Sequence, residues 1–195
     1  TLIIGVKKSG VDIIYLVAGY LAGQFAYLEK KYPGLHIIIN NEYASVNNIS
    51  SVNAARGVLD YGDCFICEAD LFITDSSVFE ADLKSSCYYG SMARGYSDDW
   101  VFDQDSDGRI TRIGKVCRNC YNMPGIAYLK QKDAIILKKA VEDTYHKGSY
   151  KDMFWDEVVN NNLDKLKLKV HRVNKGQIIE IDTVAELAYI NSRNY

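Results

Sequence analysis

Residues 11–40, VDIIYLVAGYLAGQFAYLEKKYPGLHIIIN, read as a strand, a helix and a second strand. Asp12 to Ala18 is an apolar run bounded by Gly10 and Gly19, the pattern of a strand buried on both faces. Leu21, Phe25 and Leu28 recur at helical spacing between Leu21 and Tyr32, and Pro33-Gly34 ends that helix. Leu35 to Asn40 is a second short apolar strand. Beyond it, Asn48 to Asp60 reads as a helix capped by Asn47 or Asn48 and closed by Gly62. Asp63 to Cys67 (DCFIC) follows as a third buried strand. Each parallel step needs a crossover, so this β-α-β-α-β order implies an α/β fold: a mostly parallel sheet with helices on both faces.

The middle of the chain reads differently. Cys87–Gly95, Asp99–Gln104 and Arg109–Ile113 are strand-like and separated by turn residues, which predicts an antiparallel hairpin insertion. Gly125–Leu129 is another apolar strand and Asp133–His146 an amphipathic helix. A shorter helix at 152–160, strands at 166–173 and 177–181 and a closing helix at 184–191 complete the pattern. With 195 residues and 48% hydrophobic residues, a single domain over 1–195 is expected.

Composition excludes several function classes. There are 23 basic residues against 25 acidic ones, so the basic excess of a nucleic-acid binder is missing. No apolar run approaches the roughly 18 residues of a membrane span, and the start does not resemble a secretory signal. Five cysteines, an odd number, point to reduced thiols and a cytoplasmic protein.

Two metal-like patterns have simpler readings. Cys64-x-x-Cys67 lies in a strand, where positions three apart face opposite ways, so it cannot join Cys117-x-x-Cys120 around one zinc. Asp103, Asp105, Asp107 and Gly108 imitate a calcium loop, but the twelfth position is Gly114 where a bidentate Glu is needed. Asp-Gly between two strands is a hairpin turn signal instead.

Open α/β sheets bind ligands beyond the carboxyl ends of their strands. Glu68-Ala69-Asp70 ends an apolar strand there, and Glu180-Ile181-Asp182 repeats the arrangement. Two readings stand: solvated strand-end acids, or a two-carboxylate site of Asp70 and Asp182 in which hard oxygen ligands hold Mg²⁺ jointly with substrate phosphates. A second feature is aromatic. Trp100 follows two aspartates, Phe154-Trp155 precedes Asp156, and Tyr128 sits on the GIAYL strand. Aromatic faces beside a carboxylate bind quaternary ammonium groups, although such rings also serve as core.

Taken in order, GVDIIYLVAGYLAGQFAYLEKKY, NNEYASVNN, EAD at Asp70, FWDEVV at Phe154–Val159 and EIDTVAEL resemble the bacterial choline-phosphate cytidylyltransferases. These belong to the larger nucleotidyltransferase family, and the resemblance runs over nearly the whole chain. It implies a Rossmann-like nucleotidyltransferase fold, with Asp70 and Asp182 as catalytic metal acids and Glu68 standing where an Asp is common. It further implies that Trp100, Phe154, Trp155 and Glu180 surround the choline head. Phe154 replaces a common Tyr. Asn47 and Asn48 match a paired-Asn motif that sugar enzymes generally lack, which marks Asn48 as a substrate-binding candidate.

One part of the family pattern has no match. The initial strand and glycine-rich loop that hold the nucleotide triphosphate are absent, and Thr1 corresponds to a point inside the first helix. The expectation is a chain carrying the acceptor and metal side of the site. The implied reaction is Mg²⁺-dependent formation of CDP-choline and pyrophosphate from CTP and phosphocholine. The alternatives are a sugar 1-phosphate or 2-aminoethylphosphonate as acceptor, or a truncated ligand-binding form without turnover.

Overall fold

Alternation along three strands generates the two cores. In the computed structural model, which describes residues 1–192, the sheet is built on β3 (Cys64–Cys67), β5 (Cys87–Gln104) and β7 (Ile126–Leu129). Ile66, Tyr88 and Ala127 face a larger core. Phe65, Tyr89 and Ile126 face a smaller one on the other side. The larger core is closed by α3 (Ile49–Ala54), α4 (Gln131–Lys147) and α5 (Trp155–Asn160). Val6 of α1 (Leu2–Lys8) packs into the smaller core. Helices therefore cover both faces, as expected.

Strand pairing is mixed rather than mostly parallel. β1 (Ile14–Ala18) and β2 (Leu35–Ile39) pair in parallel as a separate two-stranded sheet. β3 joins β7 antiparallel, and the sheet continues through β5 to β6 (Ile110–Asn122). β8 (Lys169–Val173) runs parallel to β5. The crossover reading correctly joins β1 to β2, but β3 takes its partner from far along the chain. β1 is accordingly only partly buried over most of its length.

The expected helix at 21–32 is broken. Leu21 adopts a left-handed conformation, φ 53°, a 3₁₀ turn covers Ala22–Phe25, and α2 (Tyr27–Lys31) buries only Leu28. Leu21 and Phe25 of its apolar repeat are exposed. At the Pro33-Gly34 turn, glycine is required: φ is +80° and a Cβ would lie 2.2 Å from the Asp12 carbonyl oxygen.

The expected hairpin is longer than its sequence pattern. β5 and β6 form one bent ribbon with several register shifts, and Val116 and Asn119 take positive φ. The Asp-Gly turn is as read: the Asp105 carboxylate accepts the backbone N–H groups of Asp107 and Arg109, each at 2.9 Å. Cys64 packs against the larger core and Cys67 against the smaller, so their sulfurs point apart. Burial pushes these thiols up to about 11 and about 12. No helix among the described residues is long and apolar enough to cross a membrane.

Candidate active site

Two strand ends converge as the alternating acids suggested. After Cys67 the chain turns at Ala69-Asp70 and returns as β4 (Leu71–Ile73), which pairs antiparallel with β9 (Ile178–Glu180). Leu71 opposes Glu180, and the Ile181 N–H donates to the Asp70 carbonyl at 3.0 Å. This places carboxylate oxygens of Glu68, Asp70 and Glu180 within 4.8 Å of one another. Gly125 lies against Glu68 and leaves it room. Gly125 has φ +78°, and a Cβ there would lie 3.0 Å from Glu68 Oε2.

Asp182 lies just beyond that triplet, at the entrance to α6 (Val184–Ser192). A capping box fixes it: the Asp182 and Thr183 N–H groups donate to Glu186 at 3.0 and 2.9 Å, and the Thr183 hydroxyl accepts the Glu186 N–H. The Thr183-x-x-Glu186 spacing is the sequence signal for that box. Among the described residues, no lysine or arginine is ion-paired with Glu68, Asp70, Glu180 or Asp182.

The uncompensated charge is felt within the cluster. Burial pushes Glu68 up to about 7, helped by Asp156, Asp70, Asp182 and Asp99. Glu180 is also pushed up to about 7, by burial and then by Asp182 and Asp70. Asp70 is raised by burial and by Asp182, against a lowering bond to its own backbone. Desolvated, mutually repelling oxygens with no protein cation are a donor set that fits a divalent ion.

Asp99 and Asp156 link the acids to an aromatic corner. Each acts electrostatically on Glu68, and each is close in sequence to a ring of a Trp100–Phe154 pair. Those rings meet edge to face, centroids 5.3 Å apart, beside a cavity of about 440 Å³ that Lys115, Asp152 and Glu157 also line. Lys115 Nζ stands 5.7 Å from the Trp100 ring centre. Next to Asp99, Asn122 donates through Nδ2 to the carboxylate (3.4 Å), leaving its buried Oδ1 as an acceptor with no partner among the described residues.

Three expected substrate contacts are placed elsewhere. Trp155 is 5% exposed and stacks on Tyr88 at 5.6 Å, so its ring belongs to the core. Tyr128 packs on Phe65, and its hydroxyl donates to Asp63 (3.1 Å), at the opposite end of β3 from Glu68. Asn48 Oδ1 is occupied by the Trp155 N–H at 2.9 Å. Contacts across long sequence separations decide all three, and composition carries no trace of them.

Asp156, read from sequence only as a carboxylate beside the Phe154-Trp155 rings, is buried against Tyr88. It is 1% exposed and accepts the Tyr88 hydroxyl at 2.9 Å. Burial pushes its carboxyl up to about 7 despite that bond. Between about pH 4, the ordinary aspartate value, and pH 7, the folded state keeps a proton that the unfolded chain has lost. Stability therefore falls as pH rises through that interval. Asp156→Asn keeps an oxygen for Tyr88 and removes the titration. Thermal melts at pH 5 and pH 8 should show the variant gaining on the parent at the higher pH. An unchanged difference between the two would remove Asp156 as the source.

No family model matches the chain. Among curated proteins, it is 45% identical over 188 residues to the 2-aminoethylphosphonate cytidylyltransferase of Lancefieldella rimae, spanning 96% of this chain and 76% of that protein. It is 26% identical over 180 residues to the choline-phosphate cytidylyltransferase of Streptococcus pneumoniae, spanning 92% and 77%. Among solved structures, the CTP:phosphocholine cytidylyltransferase of Streptococcus pneumoniae matches at TM-score 0.88 and 25% identity, over 98% of this chain and 82% of that one. The inositol-1-phosphate CTP transferase of T. maritima matches at TM-score 0.68 and 18% identity, over 95% and 76%, a likeness of fold alone.

Proposed function

The chain belongs to the cytidylyltransferase family, and from that premise we propose that it transfers a cytidylyl group from CTP to 2-aminoethylphosphonate. The carrying observation is the surplus of hydrogen-bond acceptors around the aromatic corner. Glu68, Glu180 and Asp99 offer oxygens, and among the described residues none of the three is ion-paired with a lysine or arginine. A primary ammonium has three N–H donors to give them. A quaternary ammonium has none, and would leave desolvated acceptors unpaired. The 45% identity to a 2-aminoethylphosphonate enzyme supports the same choice. This reverses the order of acceptors expected from sequence, where phosphocholine came first.

The four acids divide into two pairs. Asp70 and Asp182, both exposed, would hold Mg²⁺, which keeps several of its waters when bound. When bound there, the ion would neutralise charge on the reacting phosphate oxygens. Half-buried Glu68 and Glu180 would hold the ammonium head, with Trp100 and Phe154 as its apolar wall. That grip orients the phosphonate so that one of its oxygens attacks the α-phosphorus in line. A P–O bond forms there as the α–β bridging bond breaks, and pyrophosphate leaves with the electron pair. The attacking oxygen is already anionic, so no general base is needed. The three histidines are read as structural; His171, for instance, packs on Tyr89 at 4.7 Å.

Phosphocholine remains a second reading because the Trp100–Phe154 pair is the kind of surface a methylated cation prefers. Calorimetric titration with 2-aminoethylphosphonate, phosphocholine and glucose 1-phosphate, in Mg²⁺, separates the candidates. Tightest binding of 2-aminoethylphosphonate is expected. Preference for phosphocholine would restore the second reading, and binding of glucose 1-phosphate alone would overturn both.

A further inference from the structure

Asn47 and Asn48 lie more than 100 positions from the segment that presents Phe154, yet they hold much of its backbone. The Asn47 N–H donates to the Lys151 carbonyl at 2.7 Å, and Asn47 Nδ2 donates to the Asp152 carbonyl at 3.2 Å. Asn48 Oδ1 accepts the Trp155 N–H at 2.9 Å. Asn47 Oδ1 accepts the Asn48 N–H at 2.7 Å, which fixes which way the Asn47 amide faces. From the other side, Glu157 accepts the Phe154 N–H at 2.7 Å.

We propose that Asn47 and Asn48 are positioning residues for acceptor recognition, clamping residues 151–155 so that Phe154 stands against Trp100. This rests on the reading that the acceptor head binds at that aromatic corner. The segment needs an outside hold, because the residues between Gly148 and Phe154 form no helix or strand of their own. The clamp is mounted on a rigid base: Ile49 and Ser50, which follow it, are 0% and 1% exposed. Each asparagine has its own chemical requirement. Asn47 must both donate and accept through one side chain, which aspartate cannot do. Asn48 only accepts, so aspartate can replace it.

The clamp touches no substrate, and its loss should therefore appear selectively. Asn48→Ala is expected to raise the KM for 2-aminoethylphosphonate about tenfold, the worth of one hydrogen bond. The kcat and the KM for CTP should move by less than about twofold. Asn48→Asp should restore the acceptor KM, whereas Asn47→Asp, which cannot donate to Asp152, should not. Trp100→Ala serves as the reference, because it removes the corner itself. If Trp100→Ala leaves acceptor binding intact, the aromatic corner is not the acceptor site and the clamp proposal falls with it. If Trp100→Ala weakens binding but Asn48→Ala does not, the site stands and the clamp alone is refuted. Equal losses toward CTP and acceptor, or failure of Asn48→Asp to rescue, would reduce the pair to a folding role.

Discussion

Asp70→Asn is expected to lower cytidylyl transfer by on the order of 10²- to 10³-fold, the scale for removing one preorganised group that stabilises developing charge. The substitution leaves the same number of heavy atoms and the same shape. What it removes is the anionic oxygen shared between the Glu68–Asp70–Glu180 triplet and the Asp182 charge. The fold should not suffer. It is the Asp70 carbonyl, not its carboxylate, that the Ile181 N–H uses to join the two strand ends. Asp70 already lies above the ordinary aspartate range through burial and the nearness of Asp182, so a neutral side chain relieves repulsion in the metal-free protein. The variant should melt no lower than the parent without metal and gain less on adding Mg²⁺. Wild-type turnover, or an unchanged Mg²⁺-dependent rise in melting temperature, would remove Asp70 from the metal site. Asp182→Asn tests the other proposed ligand, and the Thr183–Glu186 capping box keeps its turn in place.

Why those acids could be read from sequence, and their surroundings could not, has a physical basis. Acidic residues ending an apolar strand conflict with the cost of burying charge, so EAD and EID stand out without any knowledge of the fold. The same holds for the strands at 14–18, 35–39 and 64–67 and for the helix ending at Lys147, whose apolar spacing is local. Partners are a different matter. Nothing near Cys64 announces that its strand pairs with Leu129 rather than with β1, and Gly125 reveals its purpose only once Glu68 lies against it. Beyond Ile113 the sequence shows no strand pattern for β6, because bulges and positive φ at Val116 and Asn119 break the two-residue alternation that a strand reading depends on. The paired-Asn motif is legible in the sequence, whereas the Trp155 N–H that Asn48 Oδ1 accepts lies 107 residues away.

The choice between a primary and a quaternary ammonium should divide two substitutions in opposite ways. Glu180→Gln removes a charged acceptor from a half-buried site. For 2-aminoethylphosphonate this should raise the acceptor KM roughly 10- to 150-fold, the range for a hydrogen bond to a charged group. Phosphocholine makes no such bond and should lose only part of a screened attraction. Trp100→Ala removes an aromatic face, worth about 0.5–2 kcal/mol to a cation above it. Its effect should be greater for phosphocholine, because a methylated head depends on the ring for nearly all of its grip. The crossed measurement, two variants against two acceptors, is therefore stronger than either alone. If Glu180→Gln spares 2-aminoethylphosphonate while Trp100→Ala abolishes it, the carboxylates serve only the metal. The Trp100–Phe154 pair, with the Lys115 ammonium already near one ring, would then carry recognition by itself.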